Sequence, residues 1–179
     1  MLLYVRHGES TANVLKVFAG QNLKASLTKD GKAQARHAGN ELLKRHIHVD
    51  TIITSPIERA FDTAQIIADV IGYNAGQIVV DDRLKEYDMG VLIGTRFPGV
   101  SSKQITEARG SEDPARFRDR VSAAITDARK HPGTTLIVSH SGIARMAKAI
   151  ARDYEPQDFH DIPSLPNSEI VDFDRWLKE

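Results

Sequence analysis

Leu2-Leu3-Tyr4-Val5-Arg6-His7-Gly8-Glu9-Ser10 begins as an apolar run of strand length and ends in a guanidinium, an imidazole and a glycine. That order predicts a buried strand whose last residues deliver Arg6 and His7 to a sheet edge. Gly8 then permits a tight turn and close backbone approach. Ligands of open α/β sheets bind beyond the carboxyl ends of the strands, and a charged fork beside a ring nitrogen at that place suits an anion, phosphate foremost. Alone, the tripeptide is more often a strand end and a turn than a site.

Two further stretches change that reading. Leu136-Ile137-Val138-Ser139-His140-Ser141-Gly142 is a second buried-type strand ending in histidine, with a helical pattern behind it. Ile52-Ile53-Thr54-Ser55-Pro56-Ile57-Glu58-Arg59 is a third, running into an arginine. Three strand ends thus offer Arg, His or both to one edge.

Between them the elements alternate. A helix is predicted over 28–46, with Thr28 as N-cap and Ala35, Ala38 and Leu42 on one stripe. Another is predicted over 56–71, with Ser55 as cap, Pro56 at the first position and Glu58 completing a capping box. Its stripe is Ile57, Ala60, Phe61, Ala64, Ile67, Ala68 and Ile71. Short strands are predicted at 51–54, 77–80, 134–139 and 169–173. Asp113-Pro114 opens a helix with Phe117, Val121, Ala124, Ile125 and Ala128 inward, ended by His131-Pro132-Gly133, and the last long helix covers 141–152. This β-α alternation predicts an α/β fold, a mainly parallel sheet with helices on both faces. Residues 88–112 hold four glycines, one proline and little periodicity, which suits a lid or binding loop.

The 179 residues suit one domain, 1–179, and 41% hydrophobic content suffices for a core. Lys+Arg and Asp+Glu are both 24, which argues against nucleic acid or an anionic membrane as partner. The absence of cysteine removes disulfides, thiolate chemistry and sulfur-ligated zinc. The N-terminal apolar run is too short for a signal peptide and no stretch reaches membrane-span length, so the expected location is the cytoplasm.

Arg6-His7-Gly8-Glu9-Ser10 with Asn13 resembles the opening motif of the histidine phosphatase (phosphoglycerate mutase-like) superfamily. Leu27-Thr28-Lys29-Asp30-Gly31, Thr54-Ser55-Pro56-Ile57-Glu58-Arg59-Ala60, Arg83-Leu84-Lys85-Glu86 and Val138-Ser139-His140-Ser141-Gly142 resemble its later blocks, in order. The resemblance implies a three-layer sandwich, an insertion of variable size at about 88–112, and a phosphatase that needs neither cofactor nor metal. It implies His7 as nucleophile, a role that a neutral imidazole can fill near pH 7. Arg6 and Arg59 would clamp phosphoryl oxygens. His140 would add a donor, becoming imidazolium if bound phosphate raises its pKa. A metal held between His7 and His140 is the rival reading, and it lacks carboxylates in suitable motifs.

Glu86 would protonate the leaving oxygen and then take a proton from water. Asp81, Asp82, Asp88 and Glu9 are its rivals. Ser10, Asn13, Gly20 and Gln21 are candidate substrate contacts. Gln21 stands where several members carry tryptophan, Val91-Leu92-Ile93-Gly94 is apolar where many carry tryptophan or glutamate, and Asn167-Ser168-Glu169-Ile170 only roughly matches the family's Asn-x-Ser segment. His37, His46, His48, His131 and His160 read as surface. Small phosphorylated metabolites such as sugar phosphates are the expected substrates. The alternatives are a phosphohistidine or phosphoprotein phosphatase, a mutase, and a binding module without turnover. The sequence leaves the oligomeric state open.

Overall fold

The computed structural model describes residues 1–179, and its centre is a five-stranded sheet in the order β3-β2-β4-β1-β5. The strands are β1 (Leu2–Arg6), β2 (Thr51–Thr54), β3 (Val79–Val80), β4 (Thr135–Ser139) and β5 (Ile170–Asp172). Four are parallel and β5 alone runs antiparallel, against β1. In the β1–β4 register Leu2 lies opposite Thr135 and Arg6 opposite Ser139, so His7 and His140 leave the sheet side by side.

Side chains that alternate along β1 divide the core. Leu3 and Val5 face α2 (Lys29–Lys44) and α3 (Glu58–Ile71), packing with Leu42, Ile52, Ile67 and Leu136. Leu2 and Tyr4 face α5 (Pro114–Ala128) and α6 (Ser141–Ala151), packing with Ile137, Phe117, Ile143 and Phe173. Both faces being covered explains why the central strands read as apolar runs rather than alternations. Short helices complete the chain: α1 (Thr11–Leu15), α4 (Ser102–Thr106) and α7 (Phe173–Trp176).

Thr28 caps α2 as expected, its side chain accepting from Gly31 N. The expected start of α3 is corrected. The helix begins at Glu58 with Ile57 as N-cap. Ser55 cannot cap it, because its N–H donates to Val138 O in the sheet and its hydroxyl is bound to His140 Nε2 at 2.8 Å. Glu58 accepts instead from Ser26 Oγ at 2.6 Å.

The 88–112 segment is more ordered than its composition suggests. It contains the 3₁₀ turn Gly90–Leu92 and α4, and it is tied back to residues 16–20. Phe18 N donates to Thr95 O, Gly94 N to Phe18 O, and Phe97 N to Lys16 O. No helix is long and apolar enough to cross a membrane.

Candidate active site

The end of β1 and the first turns of α3 and α6 line one cavity of about 440 Å³. Arg6, His7, Arg59 and Glu86 line it, with Gly142 at the start of α6, and the ring of His140 stands beside His7 with centroids 5.2 Å apart.

The His7 ring is oriented by its neighbours. Nδ1 lies 2.7 Å from Gly8 O, an acceptor only, so Nδ1 carries the proton. Arg59 Nε, a donor only, is 3.2 Å from Nε2, which therefore presents a lone pair. Burial and the guanidinium groups of Arg59 and Arg6 hold the ring's pKa well below that of free histidine. The outcome is a neutral imidazole with a nucleophilic nitrogen at neutral pH. Gly8 makes this possible, since a Cβ there would overlap the backbone carbonyl of Gly31. Thr63 Oγ1 accepts from Gly8 N and donates to Arg59 O, joining the nucleophile's turn to α3, and Asn167 Nδ2 donates to His7 O at 2.7 Å.

Around that nitrogen stand donors without protein partners. Arg59 uses Nη2 on Gly20 O at 2.9 Å and leaves Nη1 unpaired. Arg6 spends Nη1 on Ser164 Oγ and Leu165 O, both at 2.8 Å, and leaves Nε unpaired. His140 Nδ1 is likewise without a partner. Burial and the nearby Arg6 lower the Arg59 pKa to about 10, still cationic at neutral pH. Burial, then Arg59, His7 and Arg6, push the His140 pKa well below the usual value. His140 is therefore neutral in the empty site, and only the charge of an arriving anion can favour its imidazolium form. Buried, unpartnered N–H groups on the two guanidiniums, joined by His140 Nδ1 once that ring is protonated, form a cradle for an oxyanion.

Glu86 is buried against the start of α6. Its Oε1 accepts from Tyr87 N at 2.9 Å and its Oε2 from Gly142 N at 3.2 Å. A Cβ on residue 142 would occupy the space of that carboxylate, so the glycine is what lets Glu86 reach the helix terminus. The rival carboxylates are engaged elsewhere. Asp81 pairs with Arg83, Asp82 with Lys85, Asp88 accepts from Gly90 N, and Glu9 accepts from Thr28 Oγ1. Of these five, Glu86 alone lines the cavity.

Ser10, Asn13 and Gly20 also line it. The expectation for Gln21 is corrected. It is not among the residues lining the cavity, and its side chain donates to Glu86 O at 2.8 Å, so it touches the segment carrying Glu86. The surface reading of His160 is corrected too. It lines the cavity, its ring packs edge-on to Tyr87 and tilted against Phe159, and burial with the Arg145 charge lowers its pKa to about 3. Arg145, one turn into α6, is a further lining residue the sequence reading did not single out. Its spacing from Ser141 offered the only signal, whereas His160 lies in the aperiodic stretch Pro156–Asp161. His37, His46, His48 and His131 are exposed as expected.

Comparison with known proteins identifies the family and agrees with the fold. The model of the histidine phosphatase superfamily (branch 1) matches residues 2–176. A 2,3-bisphosphoglycerate-dependent phosphoglycerate mutase of Thermoplasma acidophilum is 34% identical over 153 residues, covering 81% of this chain and 72% of that protein. The chain is similar in fold to a mycobacterial glucosyl-3-phosphoglycerate phosphatase complexed with VO3, with TM-score 0.76, 22% identity, and 94% and 90% of the two chains covered. It is also similar to an Entamoeba histolytica phosphoserine phosphatase mutant in complex with phosphoserine, with TM-score 0.76, 23% identity, and 94% and 87% covered.

Proposed function

The chain belongs to the histidine phosphatase superfamily, branch 1, and from that premise we propose that it hydrolyses phosphomonoesters of small metabolites through a phosphohistidine on His7. The observation that carries the reading is the fixed His7 tautomer, with Nε2 unprotonated and accepting from Arg59 Nε, in a site where Arg59 Nη1, Arg6 Nε and His140 Nδ1 have no protein partner. In the first step Nε2 forms a bond to phosphorus as the ester P–O bond breaks, and Glu86 gives its proton to the departing oxygen. Arg6, Arg59 and His140 hold the three remaining phosphoryl oxygens and the charge that gathers on them. In the second step Glu86 takes a proton from water, whose oxygen attacks phosphorus and releases His7. No third His and no carboxylate joins His7 and His140 in a metal-binding group, so charge stabilisation is assigned to the guanidinium groups.

A mutase is the second reading, favoured by the name of the Thermoplasma acidophilum relative. A mutase must keep water from the phosphohistidine until its product forms. Here the outer wall of the cavity is one five-residue helix and turns whose Val91 and Phe97 are exposed. Such a thin cover favours hydrolysis.

The test uses leaving-group dependence, with chelator in the buffer. An alkyl phosphate needs the proton from Glu86, while a nitrophenyl phosphate, with a good leaving group, barely does. Glu86→Gln should depress alkyl ester turnover by roughly 10²-fold or more, with a far smaller effect on aryl ester phosphorylation of His7. Asp82→Asn and Asp88→Asn should show no such dependence. Equal losses on both esters would remove the acid role, and an isomerised ester in place of inorganic phosphate would replace the hydrolase with the mutase.

A further inference from the structure

The carbonyls of residues 83–86, the stretch that delivers Glu86 to the cavity, are answered by side chains rather than by backbone N–H groups. Ser139 Oγ donates to Leu84 O at 2.7 Å and Gln21 Nε2 to Glu86 O at 2.8 Å. The other bonds all come from Arg120 on α5. Its Nη1 donates to Arg83 O and Lys85 O, both at 2.6 Å, and its Nη2 to Glu86 O at 3.1 Å. Nε and Nη2 also meet the Glu112 carboxylate, at 2.7 and 2.8 Å. All five N–H donors of the guanidinium are thus spent, three on the chain around Glu86 and two on a counter-ion.

Arg6 and Arg59 keep donors unpaired, whereas Arg120 keeps none and is not among the residues lining the cavity. It therefore holds protein, not substrate. Its guanidinium lies 4.5 Å from the ring centroid of Phe117, which is fully buried one turn earlier on α5, and Tyr87 OH donates to Glu112 O, tying the counter-ion to the same stretch. Stability alone does not call for this arrangement, since a largely buried ion pair typically contributes no more than apolar side chains of the same volume. Reach to three carbonyls at once does call for it, and the guanidinium fork supplies that reach.

We propose that Arg120 is a positioning residue for the proton-transfer step. With Glu112 as its counter-ion, it fixes the backbone of residues 83–86 so that the Glu86 carboxylate stays on Tyr87 N and Gly142 N at the cavity. The proposal rests on the phosphatase reading above and adds to it a residue that touches neither substrate nor the reacting atoms. Proton transfer needs heavy atoms about 2.6–3.2 Å apart, and a displacement of about 1 Å costs about 10²-fold. Glu86 follows a 3₁₀ turn, Asp82–Leu84, and has no helix or strand of its own to hold it to that tolerance. Arg120 supplies the hold from α5.

The test uses two readouts on Arg120→Lys, which keeps the charge and loses the fork. In the first, kcat/KM is measured on an alkyl phosphate and on nitrophenyl phosphate. Arg120→Lys should lower the alkyl value about 10- to 100-fold and the aryl value by less than about threefold. Added to Glu86→Gln, the same substitution should cost the alkyl ester less than about a further threefold, because the group it positions is gone. In the second, amide exchange of the unliganded protein is followed by NMR. The N–H groups of Tyr87 and Gly142 should exchange at least about tenfold faster, with β1 and β4 unchanged. Glu112→Gln, which keeps the guanidinium and disturbs its seat, should repeat both effects at smaller size, and it decides the question if Arg120→Lys does not fold. While Glu86→Gln remains selective for the alkyl ester, equal losses on both esters in Arg120→Lys, full additivity of the two substitutions, or unchanged exchange at Tyr87 and Gly142 would overturn the positioning role. Faster exchange at those amides, with Glu86→Gln itself losing both esters alike, would defeat the acid reading and leave the hold on the carboxylate standing.

Discussion

The floor of the cavity and its outer wall are built on different terms. The floor is the end of a buried sheet, where His7 is 4% exposed, Arg59 2% and His140 0%. Each of these is fixed by backbone groups or buried side chains such as Gly8 O, Gly20 O and Ser55 Oγ. The wall is residues 88–112, where Val91 is 53% exposed and Phe97 38%, and it is pinned chiefly by backbone bonds to residues 16–20. Reaction chemistry requires donors held to fractions of an ångström, which packed strands supply. Choice among substrates requires a surface that tolerates change without disturbing the sheet, which an irregular wall supplies. The proposed reaction belongs to the floor, and the proposed choice among substrates to the wall.

That division predicts effects of unequal size. The largest belong to the floor. Arg6→Ala, Arg59→Ala and His140→Ala should each lower kcat/KM by roughly 10²-fold or more, since one lost preorganised donor costs about 3 kcal/mol. Arg59→Lys should fail as well, because a lysine cannot at once reach His7 Nε2 and Gly20 O as the guanidinium does. Steady-state kinetics on one ester suffice, and a fully active Arg59→Lys protein would erase the contrast between floor and wall.

A smaller effect belongs to the wall. Phe97 leans on Phe18 with ring centroids 5.8 Å apart and lines the cavity. Phe97→Ala should raise KM by up to about tenfold and leave kcat nearly unchanged, the pattern of lost uniform binding. A drop in kcat as large as that of the floor variants would show that the wall takes part in the chemistry.

A separate effect is on stability. His7, His140 and His160 all have pKa values held below that of free histidine, by burial first and then by neighbouring charges, guanidinium groups in each case. Between those lowered values and about 6.5 the unfolded chain binds more protons than the native one, so stability falls as pH drops below about 6.5. Each ring contributes up to about 1.4 kcal/mol per pH unit in that window. Urea midpoints should decline from pH 7.5 to 5.5 in the unliganded protein, and His160→Gln should flatten the slope. An unchanged slope would mean that His160 titrates as a surface residue.

The same contrast explains what the sequence revealed. The strand ends were legible because apolar runs stop abruptly at Arg6, Thr54 and Ser139, and two-sided burial leaves such runs unbroken. The cap of α3 was misread because Ser55-Pro56 is a strong local signal, while the groups that occupy Ser55 lie at the end of β4 and on the residue after it, 83 to 85 residues away in sequence. Gln21 was misplaced for a similar reason, its amide answering the Glu86 carbonyl rather than the cavity. His160 was hidden in a stretch with no periodicity, and only the packing of Tyr87 and Phe159 around it reveals that it is inside. Local pattern reports the floor, whereas the wall and its polar partners are set by tertiary contacts.

Trapping the phosphoenzyme tests the central claim most directly. The native protein, mixed briefly with a labelled aryl phosphate and quenched in alkali, should carry one acid-labile, alkali-stable phosphate that peptide mass spectrometry places on His7. The phosphate should form and decay at least as fast as turnover, and His7→Ala should show neither label nor hydrolysis. Sustained hydrolysis by His7→Ala, or label on any other residue at a competent rate, would contradict the account.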